Sequence, residues 1–399
     1  MINTCVYTGI MLTILFVIFV TKRNLMGKIL WMLYTFVGVV SVVAVQKGLL
    51  QMEVTLFPYL FLIVIYLIVF FPYLDKSINF NVEKLTSKIN VKYLIFIYIF
   101  IFTGIITIIY YIPLVKQLII SGEWIQNRND LYSGTFRFTY TWYQYFALQF
   151  VGYTKLLGMI VGFVILRSGE KSMLGLTAIL VGCISSILSA MYQSSRGAIV
   201  NIILLTFVMV LFFYKELSNN KKRFVVICLL VGIVLIIPYV IDVTISRFSS
   251  EGAFDSLLSY FGQPPIVFNY GVTPINKYLF GTYALGNLFG MKPISPSDIG
   301  GLWGSSFYSF VGWLFIDWGY IGTLLVSLLI SFITYLIIIK KKYDIADVFL
   351  LFFIYYTLLQ GVFVIGQDYC YNIIVSIIIY AIVKIFFDKY KFVLGKIKL

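Results

Sequence analysis

Apolar runs of about 20 residues, the length that crosses a bilayer, recur along the chain with polar and mostly basic segments between them. They fall near 4–21, 29–46, 54–74, 93–112, 143–166, 173–193, 198–214, 224–241, 320–339, 347–366 and 371–387. The pattern predicts an all-α polytopic membrane protein with about eleven transmembrane helices, one integral-membrane domain over residues 1–399. One long stretch interrupts the rhythm. From 242 to 305 no segment is able to cross, and Asp242, Arg247, Glu251, Asp255, Lys277, Lys292 and Asp298 are gathered there with Pro264-Pro265. Backbone outside helices must be buried in protein or face water. The stretch therefore predicts a large extracytoplasmic loop or cap between the eighth and ninth spans, and such loops concentrate binding and catalysis. A second outer loop is expected at 113–142, and an interfacial or half-inserted helix at 302–316 that brings Asp317-Trp318-Gly319 to the rim.

The charges orient the spans. With the N-terminus outside, 21 Lys and Arg fall in loops on the cytoplasmic side and 8 on the opposite face, with Lys155 inside a span. This satisfies the positive-inside rule at every loop and predicts N-out, C-in. The cytoplasmic set holds 18 Lys and 3 Arg, whereas the outer set holds 4 of each. Lysine suffices for topology, so arginine outside calls for another cause. Its planar fork binds phosphate bidentately and keeps its charge when desolvated.

Composition agrees with the spans. Charged residues are 12% of the chain, against roughly 25% in a soluble domain. The net charge of +14 does not point to nucleic acid, because most lysines lie in short loops where they meet lipid head groups. The four cysteines are scattered and show no metal-ligand spacing. There is no histidine, which excludes His-based zinc sites, Ser-His-Asp and Cys-His nucleophiles and any His general base.

The outer arginines are Arg128, Arg137, Arg196 and Arg247. Arg196 lies in Ser194-Ser195-Arg196-Gly197, between two spans with almost no loop. A snorkelling arginine is the plain reading, but the serines offer donors to an oxyanion and Gly197 allows close backbone approach. Arg247 follows Asp242 and pairs with it in the plain reading; Arg128 and Arg137 have Glu123 and Asp130 as loop partners. Without histidine a general base must be a carboxylate or tyrosine, and Glu251, Asp255, Asp298 and Asp317 lie on the expected side. Tyr260 and Tyr270 are candidates to stack on sugar rings, and Lys277 joins the binding set.

The turn at 194–197, Arg247-Phe248, Tyr260-Phe261-Gly262, Phe268-Asn269-Tyr270, Gly304-Ser305-Ser306 and Asp317-Trp318-Gly319-Tyr320-Ile321-Gly322 together resemble features of bacterial O-antigen and capsule polymerases of the Wzy type. The resemblance implies a metal-independent, cofactor-free glycosyltransferase on a GT-C-like helical scaffold in the bacterial cytoplasmic membrane. Its substrate would be oligosaccharide linked to undecaprenyl pyrophosphate, with membrane lipid and a chain-length regulator as further partners. By position, Arg196 and Arg247 would hold the leaving pyrophosphate and Arg128 and Arg137 would assist. Asp255 and Asp317 complete the candidate catalytic set. Two alternatives remain: a flippase or transporter of lipid-linked oligosaccharide, and an O-antigen-ligase-like transferase, against which the missing histidine weighs.

Overall fold

The computed structural model describes residues 1–399 except 22, 75–90, 134–139, 169–170, 215–216, 223–251, 293, 295, 303–307, 363–368, 388–392, 395–396 and 399; of Arg128 and Arg196 it describes the backbone alone. The architecture is all-helical. Among the described residues, seven helices are long and apolar enough to cross a membrane. They are α1 (Ile2–Val20), α2 (Leu25–Gln46), α3 (Leu56–Leu74), α4 (Val91–Ser121), α6 (Trp142–Ser168), α7 (Ser172–Tyr192) and α10 (Ser309–Ile338). Shorter apolar helices stand at three other expected spans: α8 (Arg196–Phe213), α11 (Ile345–Gln360) and α12 (Tyr369–Ile382). Two helices are not spans, α5 (Trp124–Ser133) and α9 (Ala253–Val267). The expected span at 224–241 lies outside the described residues. Large apolar side chains such as Phe16, Phe102, Ile109 and Ile321 are exposed, as lipid-facing positions require.

The chain divides into two compact units. The first holds Met1–Asn79, Gly252–Lys340 and Ile354–Ile374. Asn24 opens α2 by accepting from the Met26 amide at 3.1 Å. The interior of α1, α2 and α3 is aromatic: Tyr7 stacks on Tyr59, Trp31 meets Phe70 edge-on, and Tyr34 packs against Tyr66. Their polar ends are satisfied within the protein. Trp31 Nε1 donates to the Met11 carbonyl, Tyr34 to that of Leu358 and Tyr355 to that of Met26. An unpaired polar group in hydrocarbon costs several kcal/mol, so each of these bonds also fixes helix register.

The 242–305 stretch, expected as an outer loop or cap, holds helical structure. Its central part is α9, which packs along α2: Ser41 Oγ donates to the Gly262 carbonyl at 2.7 Å, and a Cβ on Gly262 would lie 3.0 Å from the Ser41 Cα. Pro264 and Pro265 both sit inside the helix. The chain accommodates them by widening into a π turn over Phe268–Val272, with the Thr273 amide bonded to the Phe268 carbonyl. Asn269, buried in that turn, donates to the Thr55 carbonyl at 2.6 Å and accepts from the Thr55 amide at 3.0 Å. Residues 242–251 and 303–307 of the stretch lie outside the described residues.

The 302–316 expectation is met in part. The helix begins at Ser309 and runs into the late span, with a break at Gly319, whose φ is 59° and ψ −163°. Phe310 to Ile316 are buried rather than interfacial.

The second unit holds Phe80–Glu251, Lys341–Phe353 and Val375–Leu399. Gly162 of α6 and Gly175 of α7 meet backbone to backbone: a Cβ on Gly175 would stand 2.6 Å from the Gly162 carbonyl oxygen. Small residues at such crossings let membrane helices approach closely. The helix α4 runs through Pro113 to Ser121, so the first nine residues of the expected 113–142 loop are helical, carried by the buried Val115 and Leu118. At the start of α11 the Asp347 amide donates to Asp344 Oδ1 at 2.8 Å, and Lys384 ion-pairs with Asp344 and lies 3.6 Å from Asp347. Burial alone would lower the Lys384 pKa, but the bond to Asp344 and the two negative charges hold it above the ordinary lysine value.

Candidate functional site

Two of the four candidate arginines flank a bonded junction, Arg128 on α5 and Arg196 just after the α7–α8 turn to which α5 is hydrogen-bonded. α7 ends with Ser194 at φ 52°, the left-handed position that usually falls to glycine. The Ser195 amide reaches back to the Ala190 carbonyl and the Ser194 amide to that of Met191. A side chain in this conformation costs roughly 1–2 kcal/mol. Ser194 offsets it by donating from Oγ to the Trp124 carbonyl at 3.0 Å, and it is buried. One turn along α5, Asn127 Nδ2 donates to the Tyr192 carbonyl at 2.7 Å. Trp124, Tyr192, Tyr111, Leu118 and Ile199 share one apolar cluster beneath these bonds. Arg128 follows Asn127 directly on α5, and Arg196 is the first residue of α8.

The start of α8 is open. Ser195 precedes it with φ −103° and ψ 92° and makes no capping bond through its side chain. The first amides of a helix lack partners of their own and carry the positive end of its dipole, which makes such an end receptive to an anion. At Gly197, an added Cβ would meet nothing within 4 Å. No neighbour in the described protein requires glycine at that position.

Ser194 therefore departs from its expected role. Its hydroxyl proton is given to Trp124, so it positions the turn rather than serving an oxyanion. Ser195 remains half-buried at the helix start. Arg137 and Arg247 lie outside the described residues.

The other candidates belong to the first unit. Asp317 is 1% exposed. Its Oδ1 accepts from the Tyr283 amide at 2.8 Å, and its backbone carbonyl from the Phe280 amide at 2.8 Å. The carboxylate thus caps the helical turn Thr282–Leu285 and ties it to the break in α10. The Tyr283 and Tyr308 hydroxyls are hydrogen-bonded to each other. Burial pushes both phenols up from their ordinary range, and the Asp317 charge adds to the rise at Tyr283. Both stay protonated at neutral pH, so neither is a base there. So enclosed, the Asp317 carboxylate holds this segment in place.

Asp255 is partly exposed. It lies in the first turn of α9 and pairs with Lys47 at 2.6 Å, both side chains 44% exposed. An exposed pair of this kind is worth about 0–1 kcal/mol, so it yields readily to a competing partner. Tyr260 is half-buried with its ring edge-on to Phe261, Tyr270 is half-buried in the π turn, and Lys277 is exposed.

Comparison with protein families, curated proteins and solved structures gives no match. The site is thus defined by its own geometry. Sequence reading passed over the two bonds that join α5 to the α7–α8 turn. Among the described residues no cluster of three or more Cys, Asp or Glu is arranged to hold a metal ion.

Proposed function

We propose that this protein polymerises oligosaccharide repeat units carried on undecaprenyl pyrophosphate, as its resemblance to Wzy-type polymerases implies. The observation that carries the reading is the junction of α5 with the α7–α8 turn, which places Arg128 on α5 and Arg196 at the first position of α8, a helix start with no side-chain cap. A diphosphate suits such a place: it takes bidentate guanidinium bonds and free backbone amides together. In the proposed arrangement the chain has eleven spans on a GT-C-like scaffold in the bacterial cytoplasmic membrane, N-terminus outside and C-terminus cytoplasmic.

In the reaction, a sugar hydroxyl of the incoming lipid-linked unit attacks the anomeric carbon of the growing glycan. The bond from that carbon to the diphosphate oxygen breaks, and undecaprenyl pyrophosphate leaves with the electron pair. The arginines and the α8 amides stabilise the charge that develops on the leaving group, the largest electrostatic demand of the step. A carboxylate accepts the hydroxyl proton.

Gly197 separates a substrate contact from a structural one. In Gly197→Ala the helix propensity gain is at most ~1 kcal/mol and no clash arises. The expected result is an unchanged or raised Tm with polymer yield reduced several-fold, read by thermal melting beside gel analysis of the glycan.

The function is tested by supplying purified protein with lipid-linked repeat units in liposomes, without nucleotide sugar. A ladder of polymer supports the reading. Equilibration of the lipid-linked unit between leaflets with no ladder replaces it with transport.

A further inference from the structure

We propose that a cavity of mixed polar and apolar lining between the end of α4 and α5 is a subsite for one neutral sugar ring of the glycan. This rests on the polymerase reading and adds what that reading lacks, a place for sugar beside the diphosphate grip. The cavity measures about 150 Å³, the share of roughly five liquid waters, which suits one ring and not a chain of them. Leu114 and Leu118 give it an apolar side. Gln117, Glu123, Gln126, Asn127 and Asp130 surround the rest, with Tyr192 beneath.

The lining selects its ligand by chemistry. Each carboxamide offers both donors and an acceptor, while carboxylates only accept. A pyranose presents hydroxyls of both kinds on its edge and C–H groups on its faces, which matches amides and carboxylates set against leucine and tyrosine. An anionic ligand does not match, since Glu123 and Asp130 repel it at short range. Asn127 is buried and fixed: its amide nitrogen is bound to the Tyr192 carbonyl, and its side-chain oxygen has no other hydrogen bond among the described residues. The next residue is Arg128.

The test uses the full-length protein in nanodiscs with methyl glycosides of neutral hexoses, N-acetylhexosamines and uronic acids, followed by saturation-transfer NMR and calorimetry. At least one neutral or N-acetylated glycoside is expected to bind and the uronides are not. Gln117→Ala and Gln126→Ala, both at exposed positions, should each weaken that binding about fivefold or more, the worth of one lost hydrogen bond. Two positions guard against a single variant that misfolds. The proposal is overturned if no neutral glycoside binds, if uronides bind as well, or if neither variant changes the affinity. Sugar binding that the variants weaken, with no polymer formed from lipid-linked units, keeps the subsite and removes the polymerase reading. Polymer formed equally by wild type and the double variant, with no glycoside bound, does the reverse.

Discussion

Arg196→Ala is expected to abolish polymer while single repeat units still accumulate on their lipid carrier. Removing one preorganised donor from a developing oxyanion costs about 10²–10³ in rate, and an arginine supplies both a donor fork and a full charge to a leaving diphosphate. A polymer needs many successive transfers, so a loss of that size leaves no detectable ladder. Arg196→Lys should recover little, because a lysine cannot form the paired bonds of a guanidinium. Arg247→Ala is expected to behave as Arg196→Ala does. Gel analysis of surface glycan, with extraction of the lipid-linked unit and a measure of protein in the membrane, reads all three variants. Normal polymer from Arg196→Ala would remove that residue from the reaction.

Gly319→Ala is expected to give the largest loss of stability. With φ 59° and ψ −163°, Gly319 lies where side chains are almost never found, at a cost of about 1–3 kcal/mol. A Cβ there would also stand 2.6 Å from the Tyr278 ring, and forcing atoms into a packed site adds about 1–3 kcal/mol. The break matters because Asp317, two residues earlier, holds the 279–285 segment through the amides of Phe280 and Tyr283. Thermal melting in detergent should show a markedly lower Tm. The double variant with Tyr278→Ala should recover the steric part alone, so that Gly319→Ala costs less in that background. An unchanged Tm in the single variant would mean that the chain can straighten at this point.

Long apolar runs were legible from the sequence, which is why the seven membrane-length helices stand at seven of the expected places. The bilayer removes the ambiguity that short apolar runs carry in water. The prolines do not mark helix ends: α4 continues for eight residues past Pro113 and α9 contains Pro264-Pro265. Packing partners and a π turn accommodate the prolines, and neither is written locally. The candidate site divides the same way. The choice of arginine over lysine outside is visible in composition, and the Ser-Ser-Arg-Gly turn is visible as a string. That Ser194 bonds to a carbonyl 70 residues away, and Asn127 to one 65 away, is set by tertiary contact. Asp317 shows the limit most plainly, since its burial and its backbone partner are set by tertiary contact too.

The central claim is that the junction of α5 with the α7–α8 turn grips a prenyl diphosphate. It is tested most directly by calorimetric titration of the purified protein with a short, soluble prenyl diphosphate and with the matching prenyl alcohol. The account predicts that the diphosphate binds, that the alcohol does not, and that Arg128→Ala and Arg196→Ala each weaken binding tenfold or more, about 1.4 kcal/mol. Equal binding of diphosphate and alcohol, or diphosphate affinity unchanged in both variants, would contradict it.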